Sequence, residues 1–459
     1  MAEKALKKLF LSLSVAAALA ASTGSAFADG GDRTEELEQR VAELEALVQQ
    51  LLNQQQPAAP STAEVDARAE AIAEDKVNEM FAAKKAEEEE QAKKHSYAFG
   101  GYIKSDFIYS DYGEGSSSGA GRDWYIPSTI PVGDGEGQSY LDFHVKESRI
   151  NFKTNHLLDN GAKLGAFLEM DFQLSGQGDE RISNSWSPRL RHAFLTYNNW
   201  LVGQTWMTFF NVGALPENLD FVGPAEATVF GRQPMIRYTN GGWQFAVENP
   251  ETTVTPYTGK KCDAEGKNCV TRYVYDHNTM PDVVARYNMT GDWGGFTIAG
   301  IWRQLRYDNG GGADDSTEGY GISLSGKMNA FGRDDFRWMA TFGKGLGRYV
   351  GINMSAGAVL DADGNLHAID TTGVFASYRH FWNEKWRSNL TYGYMAIDND
   401  TALTGTGVSK DASSWHVNLI YSPQPKLDFG VEFLYADRTI ESGADGDMKR
   451  IQFSAKYAY

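Results

Sequence analysis

The chain has 459 residues, with 60 acidic against 43 basic side chains, a net charge of −17 and two cysteines. An acidic balance with no basic stripe excludes a nucleic-acid binder. Two cysteines without a second ligand pair nearby argue against a structural zinc site, and no metal or cofactor is expected.

Lys4, Lys7 and Lys8 precede an apolar run from Leu9 to Ala21 that is too short to span a bilayer, and Ala26-Phe27-Ala28 supplies a small-x-small cleavage pattern. Residues 1–28 therefore read as an export signal. Beyond it there is no run of about 18 apolar residues, so a spanning helix is unavailable, whereas a barrel hides its apolar residues one position in two.

Residues 29–56 carry a heptad seam at Leu37, Val41, Leu44, Val48 and Leu51, which predicts a coiled coil. A helix this short needs a partner helix. Val at a and Leu at d lean toward dimers. Arg40-Val41-Ala42-Glu43-Leu44-Glu45 instead resembles the pattern of short parallel trimers, with Arg40 and Glu45 pairing between chains, and the trimer is the reading adopted. The alternative is an amphipathic helix lying on a barrel or membrane surface. Residues 57–95, after Pro57 and Pro60, read as a solvated helical spacer in the periplasm, with a weak apolar stripe at Val65, Ala69, Ile72, Val77 and Met80.

From residue 96 to 459 the period changes to two, although this part still holds 42 acidic and 32 basic residues. Ala162 to Leu174, Tyr320 to Met328, Phe336 to Phe342, Trp386 to Tyr394, Trp415 to Tyr421 and Leu427 to Tyr435 all alternate bulky apolar with polar or small residues. Short connections such as Asn240-Gly241-Gly242, Asn329 to Asp334, Phe381 to Glu384 and Pro423-Gln424-Pro425 alternate with long ones such as Ser110 to Leu141, Asn249 to Met280 and Gly347 to Ile369. The last ten residues end in a strand with Ile451, Phe453, Ala455, Tyr457 and Tyr459 on one face. Together these predict an all-β transmembrane barrel of about 16 antiparallel strands, preceded by the α-helical coiled coil, with both barrel ends on the short-turn side. Tyr102, Trp200, Trp243, Trp293, Trp386, Tyr392 and Trp415 suit interfacial girdles. A soluble sandwich of this length would divide into domains.

Cys262 and Cys269 lie in a loop-like stretch, and export makes a disulfide between them the expected state, with two free thiols as the alternative. Met207 to Gly231 carries Phe209, Phe210, Leu215, Leu219, Phe221 and Phe230, too apolar for a loop left in water. It is expected to fold into the barrel and narrow it, or else to pack on a neighbouring subunit.

Extending the alternation points Arg149, Lys153, Arg237, Arg286, Arg337, Arg379, Arg387, Arg450 and Lys456 inward, against Glu147, Glu169, Asp171, Glu248, Asp428 and Glu432. Guanidinium groups in a wet channel attract anions and can fork around a carboxylate. Arg149, Arg191, Arg232 and Arg237 flank the constricting segment and head the candidate anion-binding set, with Arg286, Arg337, Arg379, Glu169 and Asp171. Either parity is tolerable for Arg191. An esterase would need more than His144 and Ser148 on one strand face, because no strained nucleophile turn or orienting partner accompanies them.

One family is similar over most of the chain. Arg191-His192-Ala193, Leu201 to Phe209, Ala214 to Phe221, Gly223-Pro224 and Arg232 to Tyr238 resemble the signature block of the DcaP-like outer-membrane porins, as do Gly100 to Asp106 and Glu147 to Ile150. The resemblance implies a trimeric 16-stranded channel for small anionic compounds, dicarboxylates among them. The reading is therefore a homotrimeric porin among outer-membrane lipids, without enzymatic chemistry, whose coiled coil also offers a contact to the periplasm or cell wall. The alternatives are a general or cation-preferring porin, or a structural barrel that tethers the outer membrane.

Overall fold

A computed structural model describes residues 39–47, 50, 73, 75–82, 84–85, 94–117, 119–174, 181–262, 269–275, 277–308, 310 and 314–459. The chain divides into two units, Met1–Glu87 and Glu88–Tyr459. In the first, the described residues are helical, among them Arg40, Val41, Leu44, Glu45, Val77 and Met80. Leu37, Val48, Leu51, Val65, Ala69, Ile72 and the predicted export segment 1–28 lie outside the described residues.

The second unit is a closed barrel. Its first strands are β1 (His95–Tyr112), β2 (Gln138–His144), β3 (Arg149–Leu157), β4 (Lys163–Asp171), β5 (Arg189–Tyr197), β6 (Trp200–Trp206), β7 (Arg232–Asn240) and β8 (Trp243–Glu248). Two short strands, β9 (Thr252–Thr255) and β10 (Tyr273–Tyr275), interrupt the series before β11 (Asp282–Gly291), β12 (Gly294–Asp308), β13 (Asp314–Asn329) and β14 (Asp335–Lys344). After β15 (Ala358–Leu360) and β16 (Leu366–Ala368) come β17 (Asp370–Phe381), β18 (Trp386–Asp398), β19 (Ser409–Gln424), β20 (Leu427–Ile440) and β21 (Asp445–Ala458).

β1 pairs with β2 along Asp106 to Tyr112 and with β3 along His95 to Tyr102, so β2 and β3 are two halves of one stave. Counted so, the barrel has 16 antiparallel staves. Pairing of β1 with β21 closes it and leaves no free edge. Alternation places the chemistry as an outer-membrane barrel requires. On β1, Phe99, Ile103 and Phe107 are exposed on the outside, while Lys104, Asp106, Ile108 and Ser110 are buried on the inside. Trp200, Trp243, Trp293, Trp386 and Trp415 are exposed. Tyr102 departs from the predicted girdle. Next to outward Ile103, it faces the lumen and donates from its hydroxyl to Glu147 Oε1 at 3.2 Å.

The long connections hold more structure than their composition predicts. β9, β10, β15 and β16 form a separate four-stranded sheet over a core of Val254, Leu305, Tyr307, Ala358, Leu360 and Leu366. Cys262 and Cys269 are disulfide-bonded. Three connections turn into the barrel. Residues 207–231 and 345–369 meet in one apolar cluster that includes Phe209, Phe210, Tyr349 and Val350, against inward-facing Val284, Ile301 and Met339. Residues 113–137 bring Trp124, Tyr125 and Ile130 against Val222 and Leu434. The apolar core of this unit therefore lies inside the lumen, between the loops and the wall.

Candidate pore constriction

The segment 207–231 crosses the lumen, and the wall is shaped to receive it. At Gly393 on β18 a Cβ would overlap Glu226 Oε1 and crowd Pro224, and at Gly430 on β20 it would stand 2.8 Å from the Leu219 methyls. Glu226 is fully buried there and accepts from Ser414 Oγ at 2.7 Å. Burial pushes its carboxyl up to about 7. Leu219 N donates to Glu432 Oε2 at 2.7 Å, and Lys104 Nζ donates to Leu219 O at 2.7 Å.

Most of the inward arginines are occupied by this segment. Arg237 Nε donates to Thr208 Oγ1 at 2.9 Å and its Nη2 to Trp206 O at 2.5 Å. Arg286 Nη1 donates to Phe210 O at 2.6 Å, and Arg337 Nη1 to Leu215 O at 2.5 Å. Arg379 and Arg387 both bond the Glu217 carboxylate. Alternation gives their inward facing, but alternation could not assign their partners, because main-chain carbonyls of a distant loop have no sequence signature. Arg450 is likewise internal, donating to Ser110 Oγ at 2.8 Å and to Gly121 O at 2.6 Å.

A different set stands where β3, β4, β5 and β7 meet. The two possible parities of β5 are resolved by a bulge. Glu169 pairs with His192 but Met170 pairs with Leu190, so Arg191 is the extra residue. One extra residue reverses the alternation. Arg189, Arg191 and His192 consequently all face inward. Arg191 is fully buried, donating to Glu169 Oε1 and to Asp171 Oδ2, each at 2.8 Å. Arg189 forks onto Asp171 at 2.8 and 2.7 Å. Arg149 lies 3.9 Å from Glu169 and over the Tyr102 ring at 5.0 Å, and Arg232 lies over Trp206 at 4.6 Å.

Among the described residues, four guanidinium groups here face two carboxylates, leaving an excess of positive charge. Arg149 Nε, Arg191 Nη2 and Arg232 Nη1 are buried without a hydrogen-bond partner among the described residues. A cavity of about 310 Å³ opens beside Arg149 and Arg191, lined also by Phe167, Glu169, Phe194, Thr205 and Trp206. Buried donors without acceptors are costly unless something else supplies the acceptor. The arrangement can therefore take an oxyanion while its aromatic walls cover an apolar body. Arg189, Trp206, Phe221 and Tyr102 belong to this site and were not among the anion-binding residues expected from the sequence; the bulge hid Arg189, and only the loop insertion brings Phe221 within 5.8 Å of it.

His144 and Ser148 do not form a pair. His144 Nε2 lies 3.2 Å from Asp123 O, and Ser148 Oγ accepts from Lys104 N at 3.1 Å. Among the described residues no group of three or more His, Cys, Asp or Glu could hold a metal ion.

Residues 32–459 match the profile of a family described as the DcaP outer membrane protein. Among solved structures, the outer membrane channel DcaP of Acinetobacter baumannii is similar over 80% of this chain and 98% of its own, with 22% identity and a TM-score of 0.66. An anion-selective porin from Comamonas acidovorans is 13% identical, covering 80% of this chain and 100% of its own at a TM-score of 0.45. The trimer form of OmpT from Vibrio cholerae is 10% identical, covering 80% and 100% at 0.47. No curated protein matches the chain.

Proposed function

The chain belongs to the DcaP outer membrane protein family, an outer-membrane channel family, and on that premise we propose that it is a trimeric porin passing small hydrophilic, preferentially anionic solutes such as dicarboxylates. The observation that carries the reading is the surplus, among the described residues, of guanidinium over carboxylate where Arg149, Arg189, Arg191 and Arg232 meet Glu169 and Asp171 beside the cavity that Arg149 and Arg191 line, with three arginine nitrogens lacking acceptors among those residues. A solute carboxylate supplies those acceptors, and the neighbouring Glu169 and Asp171 give the site a transverse field that orients a solute with two charged ends. Arg237, Arg286, Arg337 and Arg379 contribute positive potential mainly while fastening the loop. No covalent step is involved; the solute moves down its gradient.

The heptad residues from Leu37 to Leu51, with Arg40 and Glu45 pairing between chains, would join three barrels on the periplasmic side, leaving the coiled coil free to touch the cell wall. A competing reading, a general or cation-preferring pore, is favoured by one observation: the barrel part is itself acidic. Swelling of liposomes that contain the refolded mature chain separates the two. Succinate should enter several times faster than a neutral diol of similar size, and equal rates would remove the anion preference.

A further inference from the structure

We infer that Arg379 and Arg387 form a second anion subsite, which the Glu217 carboxylate occupies as a tethered surrogate until a solute carboxylate displaces it. The inference rests on the anion-pore reading and names a device within it. Arg387 takes both carboxylate oxygens, Nη2 to Oε1 at 2.6 Å and Nε to Oε2 at 2.9 Å, and Arg379 Nη1 adds a bond to Oε2 at 2.7 Å. This is the forked geometry by which guanidinium groups take any carboxylate, so the site selects the functional group rather than the residue that bears it.

Glu217's main chain is held separately from its side chain. Its carbonyl oxygen accepts from Asn389 Nδ2 at 3.0 Å and from Asn418 Nδ2 at 2.9 Å, while Leu215 O and Leu219 N have their own wall partners. The carboxylate can therefore swing away while the loop stays in place. It is also within reach of solutes: the Glu217 side chain is 29% exposed and those of Arg379 and Arg387 are 16% and 14%.

Charge supports the exchange. Arg337, Arg379 and Arg387 are matched by Asp335, Asp428 and Glu217, so moving Glu217 away leaves the group net positive. Burial alone would raise the Glu217 pKa, but Arg387 and Arg379 outweigh it and hold the carboxyl below the usual range. Near neutral pH one anion replaces another and no proton moves. The pair also lies near the short-turn rim of the barrel, since Arg379 is two residues from the end of β17 and Arg387 is the second residue of β18. A tethered competitor acts at an effective concentration on the order of millimolar, so only solutes at comparable levels displace it.

The test uses the full mature channel in planar bilayers and reads the succinate concentration that halves the ion current. Glu217→Gln, with the competitor's charge removed, should lower that concentration about tenfold, and Arg387→Gln should raise it above wild type. If Glu217→Gln does not fold, Glu217→Asp, whose shorter reach weakens the clamp, should shift the value in the same direction. An anion-selective wild type with the same half-blocking concentration in the Glu217 variants overturns the inference. A wild type that is not anion-selective overturns the anion-pore reading beneath it.

Discussion

Gly393 and Glu226 share one volume: the missing side chain on β18 is the space that the loop carboxyl fills, and a Cβ at Gly393 would overlap Glu226 Oε1. Close approach of a second backbone is a recurrent reason for glycine inside a strand. Gly393→Val should force the Pro224–Ala227 stretch off the wall while leaving the barrel ladder intact. We expect a conductance change of at least about twofold in single-channel recordings, because lumen width sets ion flow where the pore is narrow. Unchanged conductance would mean that this stretch does not border the pore.

Glu226 also gives a pH dependence with a definite sign. Its carboxyl has a pKa of about 7 in the folded protein, because burial disfavours the anion, and an ordinary value when unfolded. Below the ordinary value both states hold the proton. As pH rises toward 7 only the unfolded state releases it, so stability falls; above 7 the loss is complete and constant. Glu226→Gln should therefore stabilise the barrel at pH 8 by roughly 3 kcal/mol, with little effect at pH 4. Heat resistance in detergent at the two pH values reads this, and an equal change at both would contradict it.

The arginines divide into two groups with different consequences. Arg149 and Arg232 each have a buried nitrogen without a partner among the described residues, and Arg149→Gln or Arg232→Gln should lower the anion-to-cation permeability ratio. Arg286 and Arg337 hold carbonyls of Phe210 and Leu215. Losing a charge-assisted bond of that kind costs about 1.5–3 kcal/mol. Arg286→Gln and Arg337→Gln should therefore increase current noise and gating events more than they change the permeability ratio. Arg237→Glu combines a lost loop bond with reversed charge and should do both. Identical phenotypes in the two groups would erase the distinction.

The barrel was readable in the sequence because an alternation of period two survives wherever one face meets lipid and the other meets polar groups. The tendency of residues 207–231 to enter the lumen was readable from Phe209, Phe210, Phe221 and Phe230, which water would not tolerate in an open loop. Trp124 and Tyr125 carry a similar signal, diluted inside a Gly-, Ser- and Asp-rich connection. The bulge at Arg191 left no trace in composition. Tyr102 was misplaced because an aromatic near a strand end fits the girdle or the lumen equally well until its neighbour Ile103 fixes the parity. Which arginines bond the loop depended on contacts between residues as far apart as Glu217 and Arg387, and such contacts have no local pattern.

Removing residues 29–94 tests whether the coiled coil joins the barrels. The barrel closes through β1 and β21 without those residues. The truncated chain should refold and conduct, but should run as a monomer on native gels at dilutions where the mature chain runs as a trimer. A truncated chain that stays trimeric at the same dilution would place the association in the barrel walls.

The most direct measurement is the reversal potential of the refolded mature chain in a planar bilayer under a tenfold salt gradient. The arginine surplus around the cavity should set it at the sign of anion preference, and added succinate should reduce the current. A reversal potential of the opposite sign, with no reduction by succinate, would contradict the account and give the acidic side chains of residues 96–459 control of the pore.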